Sequence, residues 1–173
     1  MASSTKIQLL DAVQGNSFLA IQSAMDIFQS HNPELAQSKI EVMREGNSMV
    51  VIFTSKNDPT NIQKTFGVRL EPKEELSTQE LNILRSHMDQ TQFLDEIQGS
   101  NFILIQKATE IFRQYNIDLM FYNIEIVHDN DSVIVIFTDK NRSTDTLGSV
   151  GKSGFEVKLN SQDLTVIRSH FVR

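Results

Sequence analysis

The sequence predicts an α+β fold: a tandem duplication of a helix–three-stranded antiparallel sheet–helix unit, packed as an intramolecular pseudo-two-fold dimer. Three observations lead there. Residues 10–57 align with residues 94–141 at a constant offset of 84, and 21 of the 48 pairs are identical. Self-similarity on this scale marks a repeated structural unit. Within each copy the apolar spacing changes from three or four to strand-like runs. A half of about 85 residues buries only a modest share of its surface alone, which favours packing of the two. The expected domains are 1–89 and 90–173, joined as one globular unit.

Each copy is expected to open with a short helical turn, broken at Gly15 or Gly99. The residues that follow, Asn16-Ser17 and Ser100-Asn101, are N-cap types whose side-chain oxygens accept an orphan amide hydrogen. A main helix of about 14 residues comes next. Its buried stripe is Phe18, Ile21, Met25 and Phe28 in one copy, and Ile105, Ala108 and Phe112 in the other. Asn32-Pro33 closes the first of these helices, because proline disfavours the helical conformation in the residue before it.

Three strands follow. Ile40 and Val42, like Ile124 and Ile126, alternate with polar neighbours in a half-buried pattern. Glu45-Gly46-Asn47 and Asp129-Asn130-Asp131 supply turn residues that tolerate positive φ. Met49-Val50-Val51-Ile52-Phe53 and Val133-Ile134-Val135-Ile136-Phe137 are apolar without interruption. A strand apolar on both sides is central and covered on both faces, and the cheapest cover for the second face is the other copy. Phe66 to Leu70 and Phe155 to Leu159 complete the meanders. Ser77-Thr78-Gln79-Glu80 matches a capping box and opens a closing helix through Leu81 and Leu84, with its counterpart starting at Ser161.

Composition removes whole classes of chemistry. The absence of cysteine excludes disulfides, thiolate metal sites and a cysteine nucleophile. A net charge of −6, divided as −3 in each half, argues against nucleic acid as a partner. No apolar run approaches the roughly 20 residues that cross a bilayer, and the first ten residues lack a secretory pattern. The expectation is a soluble cytoplasmic protein, monomer or homodimer, with no cofactor and no metal.

Several residue sets could carry function. Arg85-Ser86-His87 and Arg168-Ser169-His170 recur in the closing segments, where histidine could act as a base and arginine could clamp an anion. Basic residues also complement the C-terminal end of a helix without further purpose. Glu41 and Glu125 occupy equivalent strand positions and should point away from the apolar side of the sheet. Met120-Phe121-Tyr122 replaces Ala36-Gln37-Ser38 of the first copy, which makes it either local core or a contact patch. The stretch 148–154 contains Gly151-Lys152-Ser153, the end of a phosphate-binding loop. Thr146 stands where that motif needs glycine, and a strand follows instead of a helix, so it reads as a long hairpin loop.

The functional expectation is therefore a non-catalytic interaction or regulatory module, with recognition in the unequal loops 58–65 and 142–154. The interaction surface would include Met120, Phe121, Tyr122 and Lys152. The alternative is a small-molecule or catalytic pocket between helix and sheet, built from Arg85, His87, Arg168, His170, Glu41 and Glu125.

Overall fold

The computed structural model describes residues 8–30, 34–55, 65–71, 73–86, 91–115, 117–140 and 154–172. It is α+β, with two antiparallel sheets and three α-helices among these residues. In chain order the elements are β1 (Gln8–Gln14), α1 (Gly15–Ser30), β2 (Ser38–Glu45), β3 (Ser48–Ser55), β4 (Thr65–Arg69) and β5 (Glu74–Leu76). Next come α2 (Thr78–Ser86), β6 (Thr91–Gln98) and α3 (Gly99–Phe112). The last four are β7 (Tyr122–Asp129), β8 (Ser132–Asp139), β9 (Gly154–Asn160) and β10 (Val166–Val172). Two 3-10 turns, Leu35–Gln37 and Leu119–Phe121, lead into β2 and β7. No helix among the described residues is long and apolar enough to cross a membrane.

The chain divides into two compact units, one of residues Met1–Gly15 with Asn101–Arg173 and the other of Asn16–Ser100. The 89/90 repeat boundary therefore falls inside the second of these. That unit holds the sheet β5-β4-β3-β2-β6. Its central strand, β3, is apolar on both sides because both faces are covered. Val51 and Phe53 lie on the α1 face, where the Phe28 and Phe53 rings stand 4.4 Å apart. Val50 and Ile52 lie on the other face, in a buried cluster with Met43, Leu76, Leu81 and Leu84. The second face is thus closed by α2 from the same unit, not by the other copy as the sequence suggested.

The capping box that starts α2 is complete. The Ser77 backbone N–H donates to Glu80 Oε1 (3.0 Å), and the Glu80 N–H donates to Ser77 Oγ (3.1 Å). Gly46 supplies the positive φ (61°) of the β2–β3 hairpin.

The other unit holds the sheet β1-β7-β8-β9-β10, with β8 at its centre. Helix α3 covers one face through Phe112, which stacks on Phe137 at 4.3 Å and meets Phe155 at 5.4 Å. Ile124, Ile126, Val133, Val135, Phe137, Phe155, Val157 and Leu159 are buried with it. The β7–β8 register repeats that of β2–β3: Ser38 pairs with Ser55, and Tyr122 with Asp139, each 84 residues later.

Two expectations fail. The opening segments are strands, not helical turns, because each finds an edge to pair with far away in sequence. β1 pairs with β7, and β6 pairs with β2. The first strand of residues 1–89 therefore lies in the sheet of β7–β10, and the first strand of residues 90–173 in the sheet of β2–β5. Gly15 and Gly99 are the points of exchange rather than helix breaks. A Cβ on Gly15 would lie 1.8 Å from the Leu119 carbonyl oxygen, and one on Gly99 would lie 1.7 Å from that of Leu35. An aspartate on each exchanged strand then meets the first turn of a helix. Asn101 Nδ2 donates to Asp11 Oδ2 at 2.9 Å, and the Ser17 hydroxyl donates to Asp95.

The second closing segment is also a strand. β10 pairs with β9 after a tight turn. In that turn Asn160 Oδ1 accepts from the backbone of Gln162 and Asp163, and Asp163 accepts from the N–H and hydroxyl of Thr165. With Leu164 set against Leu81, Asn160 and Asp163 take the places of Ser77 and Glu80 and bond within the hairpin turn, and Thr165-Val166-Ile167 is β-branched throughout, which favours a strand.

Candidate functional site

The two sheets present equivalent faces that the chain finishes differently. On the Asn16–Ser100 unit, the face away from α1 is filled by α2. Gly67 makes room for it: a Cβ there would lie 2.7 Å from Leu81 Cδ2. Arg69 secures the arrangement by pairing with Glu45 (2.8 Å), Glu74 (3.1 Å) and, in α2 itself, Glu80 (3.7 Å). Glu45 foremost raises the guanidinium pKa above its ordinary value, so Arg69 stays charged throughout.

On the other unit Gly67 is replaced by Glu156 and Arg69 by Lys158. Within this unit α3 packs on the opposite face, against Phe137 and Phe155. Strand pairing sets its side chains in rows. One row runs Ala12, Glu125, Ile136, Glu156, His170 across β1, β7, β8, β9 and β10. The next runs Leu9, Val127, Ile134, Lys158, Arg168. Val127 and Ile134 are 8% exposed, and Ile136 is half-buried. Glu156 is half-buried, and His170 Nε2 stands 4.0 Å from its Oε1, a loose pair that is charged only when the imidazole is protonated. Lys158 makes no ion pair among the described residues. Lys140 Nζ donates to Gln14 Oε1 at 3.2 Å on the flank of this unit.

This face gathers three of the residues singled out from sequence: Glu125, Arg168 and His170. Glu125 follows Ile124, which packs under α3, so its side chain is on the opposite face and not between α3 and the sheet. Glu41 sits on the corresponding face of the other sheet, beside Lys39 (3.9 Å) and opposite Glu96 in register. Met120 and Phe121 are exposed (40% and 47%), while Tyr122 is buried edge-on against Phe112 at 5.0 Å. Burial, and then the charge of Asp139, push the Tyr122 phenol pKa up. The proposed patch is therefore split, with two of its residues outside and one in the core.

The Arg-Ser-His pairs do not form equivalent sites. Arg85-Ser86 ends a helix, while Arg168-Ser169-His170 lies in a strand. The Arg85 side chain, His87 and Lys152 lie outside the described residues, as do loops 58–65 and 142–154 apart from Thr65 and Gly154. Among the described residues no group of three or more His, Asp or Glu is placed to hold a metal ion. The residues that sequence reasoning passed over are Val127, Ile134, Ile136, Glu156 and Lys158. Their signal was present in the pairing of Gly67 with Glu156 and in an apolar run too long for a sheet with one wet face. Comparison of the chain with family models, with curated proteins and with solved structures gives no match.

Proposed function

We propose that the chain is a non-catalytic interaction module of the cytoplasm, an internally duplicated scaffold with pseudo-two-fold, strand-exchanged repeats. Its recognition surface is the sheet face on which Glu125, Ile136, Glu156 and Lys158 stand in the unit that carries β7–β10. One observation carries this reading: Ile136, on the central strand at the position equivalent to Ile52, is only half-buried, whereas Ile52 is fully buried under α2. An apolar side chain left part exposed among charged neighbours on a sheet face is a candidate contact point. The charged rim of Glu125, Glu156, Lys158, Arg168 and His170 fits an interface that is apolar at its centre and polar at its edge.

The test places a photo-crosslinking residue at position 136 and, as a control, at the exposed Glu110 on α3. A discrete adduct formed from position 136 in cells, absent from position 110 and competed by excess wild-type chain, is the expected result. Equal labelling from both positions, or none from either, removes the face as a recognition surface.

A further inference from the structure

We infer that mutual strand donation, not the link between α2 and β6, holds residues 1–89 and residues 90–173 together. Each half carries a docking site for one strand pattern, and each supplies that strand to the other. The donors are Gln8-Leu9-Leu10-Asp11-Ala12-Val13-Gln14-Gly15 and Gln92-Phe93-Leu94-Asp95-Glu96-Ile97-Gln98-Gly99. They share a glutamine at both ends of the strand, a leucine and aspartate at its middle, and a closing glycine.

Both strands are seated by the same features. The residue before the last glutamine enters the core, since Val13 and Ile97 are buried. One leucine is bulged out of each ladder, Leu10 between Leu9 and Asp11, and Leu94 between Phe93 and Asp95. The aspartate accepts from the first turn of the acceptor's helix, Asp11 from Asn101 Nδ2 and Asp95 from the Ser17 hydroxyl. The glycine lies where a Cβ would collide with a carbonyl oxygen of the acceptor, Leu119 for Gly15 and Leu35 for Gly99. A seat built twice with the same parts is a binding site for that strand.

The chain connection enforces the exchange. β1 ends at Gln14 and α1 starts at Gly15, while β6 ends at Gln98 and α3 starts at Gly99. With no loop between them, strand and helix run on into different compact units. A strand that turned back onto the sheet of its own half would need a connection of about two residues or more. Each half is donor and acceptor at once, so the halves bind through both strands. The second insertion is then intramolecular, and the pair is tighter than either strand would make it alone.

Cleavage of the full chain tests this. A protease recognition sequence inserted between Asp89 and Gln90 leaves both donor strands whole. After cutting, the fragments should elute as one species at the volume of the uncut chain and keep its circular dichroism. Their melting temperature should then rise with concentration, because unfolding now separates two molecules. Fragments that part without denaturant overturn the inference. Paired cysteines decide the matter if the insertion itself prevents folding, since the chain has none of its own. Ala12→Cys with Glu125→Cys joins register partners and should form a disulfide. No bond between positions 12 and 125 overturns the exchange. A bond instead between Ala12→Cys and Glu41→Cys, the position in residues 1–89 that corresponds to Glu125, would put β1 on the sheet of its own half.

Discussion

The face of β2–β5 under α2 and the face of β7–β10 opposite α3 start from strands of matching sequence and register and end with different side chains. In the first, Gly67, Leu76, Leu81 and Leu84 close an apolar cluster with Met43, Val50 and Ile52. In the second, Glu156 occupies the place of Gly67 and a β-branched segment turns back as β10. The difference shows how few positions decide whether a sheet face becomes core or surface. A side chain at the one site where the helix must approach closely, and the loss of a capping glutamate, are enough.

The largest effect is expected where the two units agree. Gly15→Ala or Gly99→Ala sets a Cβ within 1.8 Å of a carbonyl oxygen, and backbone on both sides leaves nothing to move. Either change should cost more than about 4 kcal/mol or abolish folding, measured by denaturant unfolding. Similar losses at both glycines support equivalent exchange points; tolerance at one breaks the equivalence.

The next test converts one face toward the other. Gly67→Glu drives a carboxylate into Leu81 and Leu76 and should cost about 2–4 kcal/mol, with loss of α2 seen by circular dichroism. The reciprocal Glu156→Gly should stay within about 1 kcal/mol, since Glu156 is half-buried and holds only a loose pair with His170. Core truncation sharpens the contrast. Leu81→Ala should cost about 2–4 kcal/mol, whereas Ile136→Ala should cost about 1 kcal/mol, because its side chain is already part wet.

Smaller effects come from the caps. Ser77→Ala should remove about 1 kcal/mol from the unit that α2 closes. Acid acts on the same bonds. The Ser77 N–H, and then its hydroxyl, hold the Glu80 carboxyl below its ordinary pKa. In the β9–β10 turn the Thr165 N–H and then its hydroxyl do the same for Asp163. A carboxyl lowered in the folded state contributes stability above its unfolded pKa and loses it as pH falls through the folded one. Melting temperature should therefore fall below the ordinary carboxylate range. Glu80→Gln should flatten the part of that slope due to α2 while leaving the Asp163 part in place.

Much of this was legible in the residues. The meander strands, the central position of β3 and β8, the main helices and the capping box of α2 follow from local periodicity and cap chemistry. The opening strands were not legible, since Val13 and Ile97 are buried only because partners far off in sequence pair with β1 and β6. The closing segments misled for the opposite reason. Leu81 to His87 and Leu164 to His170 look alike residue by residue, but Glu80 caps one while Asn160 and Asp163 build a hairpin turn before the other. Of the candidate site, Glu125, Arg168 and His170 were named from sequence, but their sharing of one face depends on that turn.

The most direct measurement compares Ile52 with Ile136 in the wild-type chain, by methyl NMR with a soluble paramagnetic probe. Broadening of Ile136 beside an unaffected Ile52 is the expected result, one side chain part exposed and its counterpart buried. An Ile136 methyl as shielded as that of Ile52 in the dilute single chain would contradict it.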